Sequence, residues 1–256
     1  MLSPAKSLDY EGPLATKKYS EPDMLDRAEQ LVKIMATKTP AEIAALMSIS
    51  PGLAETNFER FQDWERPFTR DRARPAVLAF RGDVYLGLNA PGTFNERDYT
   101  HAQKTLRILS GLYGVLRPLD LMLPYRLEMG TRLATPDGRD LYDFWGSSIT
   151  EAVGRAIEAS PGSKTLVNLA SNEYFKAVRP KLLDAPVMTP SFLDEKNGTY
   201  KMISFFAKKA RGAMAGWIVQ NRVRSVAGLQ GFDRLGYRFD PDRSTRTHPV
   251  FVRSQP

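Results

Sequence analysis

The stretch LRILSGLYGVLRPLD, residues 106–120, is central to the fold, because two glycines interrupt an otherwise apolar run. Gly111 and Gly114 lie three residues apart, and leucine, isoleucine or valine residues occur before, between and after them. Glycine commonly ends a helix in the left-handed conformation, so the pattern predicts a helix that stops at Gly111, turns and starts again. Two interpretations follow: a packed helix–turn–helix joint, or a turn whose backbone amides hold a phosphate.

The neighbours of these glycines leave both interpretations open. Arg107 and Arg117 stand on either side and would add positive charge to a phosphate site. Tyr113 falls at the predicted tip, where its ring would stack on a ligand or cover the joint. Spacing alone favours the packed joint, so the phosphate interpretation depends on the rest of the chain.

Composition excludes several classes of site. The 256 residues are 42% hydrophobic and 25% charged, which is typical of globular proteins. No cysteine is present, which excludes disulfides, thiolate zinc sites and cysteine nucleophiles. His101 and His248 are the only histidines, so no histidine-rich metal site and no cofactor are predicted. No apolar run approaches the roughly 18 residues of a spanning helix, and MLSPAKSLDY lacks the apolar segment of a signal peptide. A cytoplasmic protein without a membrane partner is predicted.

Positive charge is concentrated near the C-terminus. Residues 199–256 contain 11 lysines and arginines against 3 acidic residues, whereas residues 1–198 contain 25 against 26. The formal net charge of +7 therefore comes from the last quarter of the chain. This asymmetry favours a surface that binds a polyanion such as nucleic acid, the alternative being a contribution to solubility alone.

A run of cations stands where a long helix is predicted to begin, in SFFAKKARGAMAGWIVQ. Residues 203–206 are predicted to be a strand that leads into the helix, with Lys208, Lys209 and Arg211 in its first turn. Cations at this end oppose the helix dipole and cost about 0.3–1 kcal/mol each unless an anion neutralises them. The pattern therefore indicates an anion site, unless the helix begins two or three residues away.

Helix and strand signals mix without a regular βαβ rhythm. PAVLAF (75–80) and DVYLGL (83–88) resemble strands, and Asn95 is a plausible cap for a following helix. Asn197-Gly198 between two runs of strand character predicts a two-residue hairpin turn. The predicted fold class is α+β, one domain over residues 1–256 with a mixed sheet and surrounding helices.

Polar residues follow a predicted buried strand in NLASNEYFKAV. Asn168, Ser171 and Glu173 would gather at the end of that strand, where sites often form in sheet proteins. Ser171 has a second interpretation, as the cap of the next helix. We treat these residues as candidates for either a cap or a site.

Two further segments contain candidate polar residues. In YRLEMG, Arg126 and Glu128 would share one face of a strand, as a structural ion pair or as a general acid or base. Lys6 in SPAKSLDY follows a proline, and without context it is simply an exposed lysine.

Taken together, these segments resemble the YaaA family of bacterial peroxide-stress proteins, in the same order along nearly the whole chain. The resemblance is carried by SPAKSLDY, FRGDVYLGL, LRILSGLYGVLRPLDLMLPYRLEMG, LYDFWG, NLASNEYFKAVRPK, FLDEKNG and ISFFAKKARG. It implies a cytoplasmic protein that limits oxidative damage by lowering free intracellular iron. It also implies a single-domain fold, a positively charged cleft, double-stranded DNA as partner and a helix–hairpin–helix element.

The resemblance assigns residues to DNA contact. The glycine hairpin is the natural place for the helix–hairpin–helix element, which implies contacts from Gly111, Tyr113 and Gly114, with charge from Arg107 and Arg117. For the positively charged cleft, the resemblance implies contacts from Lys6, Lys176, Lys208, Lys209 and Arg211.

Two features depart from the family pattern. Members usually carry a few more apolar residues before SPAK, so we expect either a short first strand or a start assigned late. The usual DNA-binding hairpin has its glycines two apart, whereas Gly111 and Gly114 are three apart.

Three functions remain possible from the sequence. The favoured one is DNA binding dominated by phosphate contacts. The alternative is a DNA-acting enzyme of glycosylase or lyase type, in which Glu128, Asn168, Ser171, Glu173 and Lys176 surround a flipped base. Iron sequestration by carboxylates is disfavoured, because the chain lacks a Glu-x-x-His pair.

Overall fold

A computed structural model describes residues 1–254. The helices are α1 (Leu25–Ala36), α2 (Pro40–Met47), α3 (Pro51–Gln62), α4 (Ala76–Ala79), α5 (Asp83–Leu88), α6 (Ala90–Thr93), α7 (Glu96–Thr105), α8 (Leu141–Trp145), α9 (Ser148–Ala159), α10 (Asn172–Phe175) and α11 (Ser204–Gln220). The strands are β1 (Ser7–Leu8), β2 (Arg74–Pro75), β3 (Phe80–Arg81), β4 (Ile108–Ser110), β5 (Gly114–Leu116), β6 (Leu121–Met122), β7 (Leu166–Val167), β8 (Val187–Met188), β9 (Ser191–Lys196), β10 (Thr199–Lys201), β11 (Arg238–Asp240) and β12 (Val250–Arg253). The predicted α+β class is confirmed.

Several short strand segments lie side by side and pair through backbone hydrogen bonds, most of them in parallel. The buried residues Met1 and Leu2 lie between β4 and β7. Leu2 donates its N–H to the carbonyl of Arg107 at 2.9 Å, and the amino group of Met1 donates to the carbonyl of Val167 at 2.8 Å. β7 continues to β8 in parallel, and β4 pairs with β5 in an antiparallel hairpin. The hydrogen-bonded order is therefore β5, β4, residues 1–2, β7, β8.

Parallel direction brings the carboxyl ends of these segments to one edge. Ser110 ends β4, Ser3 follows Leu2, and Asn168 follows β7. Loops at the carboxyl ends of parallel strands are the usual place for a binding crevice. The SPAK motif and the NLASNEYF motif therefore start at the same edge.

The glycine stretch is a β-hairpin, and the predicted helix–turn–helix is wrong. α7 ends at Thr105, and β4 pairs with β5 so that Ser110 faces Gly114. Apolar periodicity over so few residues does not separate a buried strand from a buried helix, and β-branched Ile108 and Val115 suit strands. The expectation of a helix–hairpin–helix element in this stretch is therefore not confirmed.

A four-stranded mixed sheet forms the second half of the fold. Its order is β10, β9, β12, β11, with β9 and β12 parallel and the other pairs antiparallel. Asn197 and Gly198 both have positive φ between β9 and β10, which confirms the predicted two-residue turn. Phe192, Phe232 and Phe251 pack around one another between this sheet and α11.

Four strand predictions are corrected. Residues 76–79 and 83–88 are helices, because largely apolar runs of this length fit either structure. Residues 203–206 are not a strand, since α11 already begins at Ser204. Residues 125–129 alternate between buried and half-buried as predicted, but they form no ladder and remain an extended loop.

Within residues 1–254, no helix combines the length and the apolar character needed to cross a bilayer.

Candidate functional site

Lys6, Arg126 and Glu128 meet at the carboxyl edge of the parallel segments. The Lys6 ammonium lies 3.3 Å from Glu128 Oε1, and the Arg126 guanidinium lies 3.0 Å from the same oxygen. Together with Tyr174 they line a small cavity of about 20 Å³, which we call the Lys6 site. The predicted pair of Arg126 and Glu128 is confirmed, and Lys6 joins it.

Charge in the Lys6 site is unbalanced toward positive. Two cations share one carboxylate, and the Lys6 side chain is 67% exposed while that of Glu128 is 16% exposed. An ammonium group has three donors, so Lys6 keeps donors for a second anion. The geometry suits an anion that approaches from solvent on the side of Lys6.

Ser3 of the SPAK motif and Ser171 of the NLASNEYF motif contact each other at this edge. The backbone N–H of Ser171 donates to Ser3 Oγ at 2.8 Å, and the two hydroxyl oxygens lie 3.3 Å apart. Asn168 is buried, and its Oδ1 accepts from the backbone N–H of Ala170 at 3.1 Å. Asn168 therefore shapes the turn, while Ser171 caps no helix with its side chain and instead faces Ser3.

Glu173 and Lys176 flank the same site. Glu173 Oε1 accepts the backbone N–H of Gly130 at 3.0 Å, and the Glu173 carbonyl accepts the Tyr142 hydroxyl at 2.9 Å. The Lys176 ammonium lies 4.6 Å from the centre of the Tyr142 ring. Glu173 is thus tied to residue 130 beside Glu128, and Lys176 lies over the Tyr142 ring that Glu173 also contacts.

Tyr174 is the buried aromatic wall of the Lys6 site. Burial raises the pKa of its hydroxyl, and the charges of Glu173 and Glu128 raise that pKa further. The hydroxyl therefore stays protonated at neutral pH and serves as a hydrogen-bond donor. Sequence reasoning missed Tyr174 and Ser3, although Ser3 follows two apolar residues in the same way that Asn168 follows β7.

The cations near the start of α11 lie beyond its first turn. The helix begins at Ser204, which makes Lys208 its fifth residue, so the predicted first-turn position of Lys208, Lys209 and Arg211 is wrong. The helix dipole acts within the first turn, and the expected penalty at the helix end does not apply. We call these three residues the α11 basic face.

The α11 basic face has no acidic partner. Across residues 1–254, no carboxylate forms an ion pair with Lys208, Lys209 or Arg211. Arg211 is half-buried, and burial lowers the pKa of its guanidinium. Its positive charge is therefore partly desolvated without compensation.

Helix α5 connects the α11 basic face with the loop that carries Lys6. A Cβ placed on Gly82, just before α5, would lie 3.3 Å from the Cβ of Ala5. At the other side, a Cβ on Gly212 would lie 1.7 Å from the carbonyl oxygen of Val84, so the two helices touch through backbone. One six-residue helix therefore separates Lys6 from the basic face.

A comparison with protein-family models identifies the family of this chain. The model of the family described as peroxide stress protein YaaA matches residues 1–243. The chain belongs to this family. The match includes every residue of the Lys6 site and of the α11 basic face, but it ends before β12.

The glycine hairpin of this YaaA-family chain is buried. Tyr113 has no exposed surface, and its hydroxyl accepts from Trp64 Nε1 at 3.0 Å. A Cβ on Gly114, which has φ +67, would lie 2.9 Å from the Trp145 ring. The prediction that Gly111, Tyr113 and Gly114 face a phosphate is therefore wrong, because no ligand reaches them.

Gly111 packs against the backbone segment that carries Glu128 of the Lys6 site. A Cβ at this position would lie 2.2 Å from the carbonyl oxygen of Leu127 and 3.1 Å from the carbonyl carbon of Glu128. Only glycine lets the backbone of residues 127–128 approach β4 so closely. Gly111 thus helps to set the position of Glu128 without touching a ligand.

The two arginines beside the hairpin are also engaged within the protein. Arg117 pairs with Asp120 at 2.9 Å and with Asp23 at 3.1 Å. Arg107 is half-buried and donates to the carbonyls of Gln103 and Leu106. Neither guanidinium is placed as the sequence predicted, beside a phosphate-facing turn.

Metal ligands do not cluster in the described part of the chain. Between residues 1 and 254, no group of three or more histidine or carboxylate side chains is close enough to hold an ion.

Proposed function

We propose that this YaaA-family chain binds double-stranded DNA through the α11 basic face and the Lys6 site, as part of the peroxide stress response. The observation that carries the proposal is the set of cations Lys208, Lys209 and Arg211, which no carboxylate neutralises. The exposed ammonium of Lys6 on the other side of α5 extends the positive surface.

Phosphate groups are the ligands that fit this surface. Lysine and arginine without partners gain most from a polyanion, because binding releases the counterions of DNA into solution. The basic face presents no glutamine or asparagine that would read a base edge. We therefore propose binding that depends on the DNA backbone and little on sequence.

Fluorescence anisotropy of a labelled duplex over a salt series tests the proposal. We expect the logarithm of the affinity to fall linearly with the logarithm of salt concentration, with a slope that reports the number of phosphate contacts. The Lys208→Glu/Lys209→Glu variant should weaken binding by about 100-fold or more at low salt and flatten the slope by about two.

Lys17→Glu is the matched control. Lys17 is exposed and lies next to Thr16, which bonds Glu96 at 3.1 Å, near the opposite end of α11. This variant should bind the duplex almost as tightly as the wild type. A salt-independent affinity, or an equal loss in the control, would contradict the proposal.

We extend the proposal to oxidative damage: DNA binding by this chain lowers free intracellular iron indirectly. The family description supports a role in peroxide stress, and no more than that. Chelatable iron is measured by spin resonance in cells that lack the protein and carry either the wild type or Lys208→Glu/Lys209→Glu. Wild type should restore low iron and the variant should not; equal restoration by both would separate iron from DNA binding.

A second candidate, an enzyme acting on damaged bases, is favoured by one observation. Lys6 pairs with Glu128, Glu173 accepts the N–H of the nearby Gly130, and Ser171 bonds Ser3. An exposed lysine amine forms an imine with an abasic sugar, and borohydride traps that adduct. Covalent trapping that disappears in Lys6→Arg, or base release from an oxidised duplex, would support this candidate; no product across a lesion panel would remove it.

A further inference from the structure

Met202 differs from every other sulfur in this chain by its exposure. The chain has nine methionines and no cysteine, so all of its sulfur is thioether. Met202 is 53% exposed, whereas the other eight methionines are buried or half-buried. The half-buried ones, Met24 and Met47, pack against the core, and Met202 does not.

Met202 also occupies a distinctive place in the fold. It lies in the two-residue link between β10, which ends at Lys201, and α11, which begins at Ser204. Phe205, the second residue of that helix, is likewise 53% exposed. The most exposed thioether of a peroxide-stress protein is thus six residues before Lys208 of the α11 basic face.

We propose that Met202 is the residue that hydrogen peroxide oxidises first in this chain, and that its sulfoxide weakens DNA binding by the α11 basic face. The second half rests on the proposed function. The first half rests only on exposure, since oxidation of a thioether requires contact with the oxidant.

The chemical step is an oxygen transfer. The Met202 sulfur attacks one oxygen of hydrogen peroxide, an S–O bond forms and the O–O bond breaks. The sulfur gives up two electrons, and the other oxygen leaves as water after proton transfer. A thiol-dependent sulfoxide reductase reverses the step, because two thiols supply two electrons and become a disulfide while the oxygen leaves as water.

The sulfoxide changes both polarity and hydrogen bonding next to the cations. A thioether is apolar and a weak acceptor, whereas the sulfoxide oxygen is a strong acceptor. The exposed Lys201 directly precedes Met202, and the exposed Lys208 follows it by six residues in α11. An ammonium group has three donors, so either lysine would offer a hydrogen bond to this oxygen. A lysine held by the sulfoxide is less available to a DNA phosphate, so affinity falls.

Peptide mass spectrometry after limiting peroxide tests the order of oxidation. The peptide that carries Met202 should gain one oxygen atom before the peptides that carry Met24 or Met47. Earlier oxidation of either half-buried methionine would overturn the proposal. The result does not depend on DNA.

Duplex anisotropy with the same samples tests the consequence. Oxidised wild type should bind at least about threefold more weakly than reduced protein, less than the loss of one whole phosphate contact. Met202→Leu should bind normally and keep its affinity after peroxide, Met202→Gln should mimic the oxidised state, and the control Met47→Leu should respond like wild type.

The outcomes separate this inference from the proposed function. If reduced protein fails to bind the duplex, DNA binding is wrong and the affinity switch falls with it, while the peptide order still decides the site of oxidation. If reduced protein binds and oxidation leaves the affinity unchanged, or weakens Met202→Leu equally, the switch alone is overturned.

Discussion

The glycine hairpin and the start of α11 contain the same kinds of residue but lie in opposite environments. Residues 106–117 combine two glycines, a tyrosine and two arginines, and residues 205–212 combine a glycine, two phenylalanines and three cations. In the hairpin the tyrosine is buried and Arg117 is paired with carboxylates. In α11 Phe205 is exposed and the cations have no acidic partner among the described residues.

This difference shows which physical property distinguishes scaffold from interface. Glycine, aromatic and basic residues make a phosphate site only where the backbone and the charges reach solvent. Gly111 lies against the carbonyl of Leu127, so its missing side chain serves packing. If this distinction holds, substitutions in the hairpin change stability, and substitutions at the start of α11 change DNA binding.

The largest effect is expected from Gly111→Ala. The new methyl group would lie 2.2 Å from the carbonyl oxygen of Leu127, and neither backbone can yield without moving the sheet. We expect the free energy of unfolding to fall by about 3 kcal/mol or more, measured by urea denaturation.

Lys208→Glu/Lys209→Glu is the matching control for stability. Its unfolding free energy should stay within about 0.5 kcal/mol of wild type, because Lys208 is exposed and Lys209 is only half-buried, so neither belongs to the core. A hairpin variant that keeps full stability but loses DNA binding would reverse the assignment of the two regions.

A smaller loss of stability is expected from Tyr113→Phe. The Tyr113 hydroxyl accepts from Trp64 Nε1 at 3.0 Å and from the N–H of Leu123 at 3.1 Å. Its removal leaves two buried donors without partners, at a cost of about 1–3 kcal/mol in thermal or chemical unfolding. Duplex affinity at a temperature where the variant is folded should not change.

Substitutions at the two residues of the Lys6–Glu128 ion pair should change DNA affinity in opposite directions. Lys6→Ala should weaken duplex binding by about tenfold or less, the loss of one phosphate contact. Glu128→Gln should strengthen binding by about threefold, because it removes a carboxylate and frees Lys6 for phosphate. Loss of binding in Glu128→Gln would show instead that the pair, rather than the cation, is the functional unit.

The smallest expected effect is a dependence of the unfolding free energy on pH, which arises from His101. Burial lowers the pKa of this imidazole below its usual 6.5, with Arg222 and Arg224 lowering it further, and its Nε2 is buried without a partner. The unfolded chain then binds more protons than the folded chain, so stability is lost as pH falls below about 6.5 and is recovered above it. In His101→Gln the fall in unfolding free energy between pH 7 and pH 5.5 should be smaller than in wild type.

Local sequence rules predicted the parts of this fold that local physics controls. The cap at Asn95 and the turn at Asn197-Gly198 are both confirmed. Each depends on a side chain or a backbone angle within a few residues. The convergence of Lys6 with Glu128 needed long-range contacts, and only the shared carboxyl edge of the parallel segments explains it.

Short apolar runs were predicted poorly, for a physical reason. Residues 76–79 and 108–116 are buried throughout, and residues 83–88 are too few to show a clear period, so these sequences do not separate helix from strand. Their structure is set by neighbours, as in α5, where the backbone packs directly on α11 at Gly212. The β12 strand lies beyond the matched family region, yet it pairs with β9 inside the mixed sheet, and Arg253 pairs with the buried Asp194.

Lysine footprinting with and without a duplex tests the central claim most directly. Reductive methylation of the free protein and of the complex, followed by peptide mass spectrometry, measures the protection of every lysine in one experiment. We predict protection of Lys208, Lys209 and Lys6 by DNA, with Lys17 and Lys33 equally reactive in both states. Unchanged reactivity at Lys208 and Lys209 in a saturated complex would contradict the account.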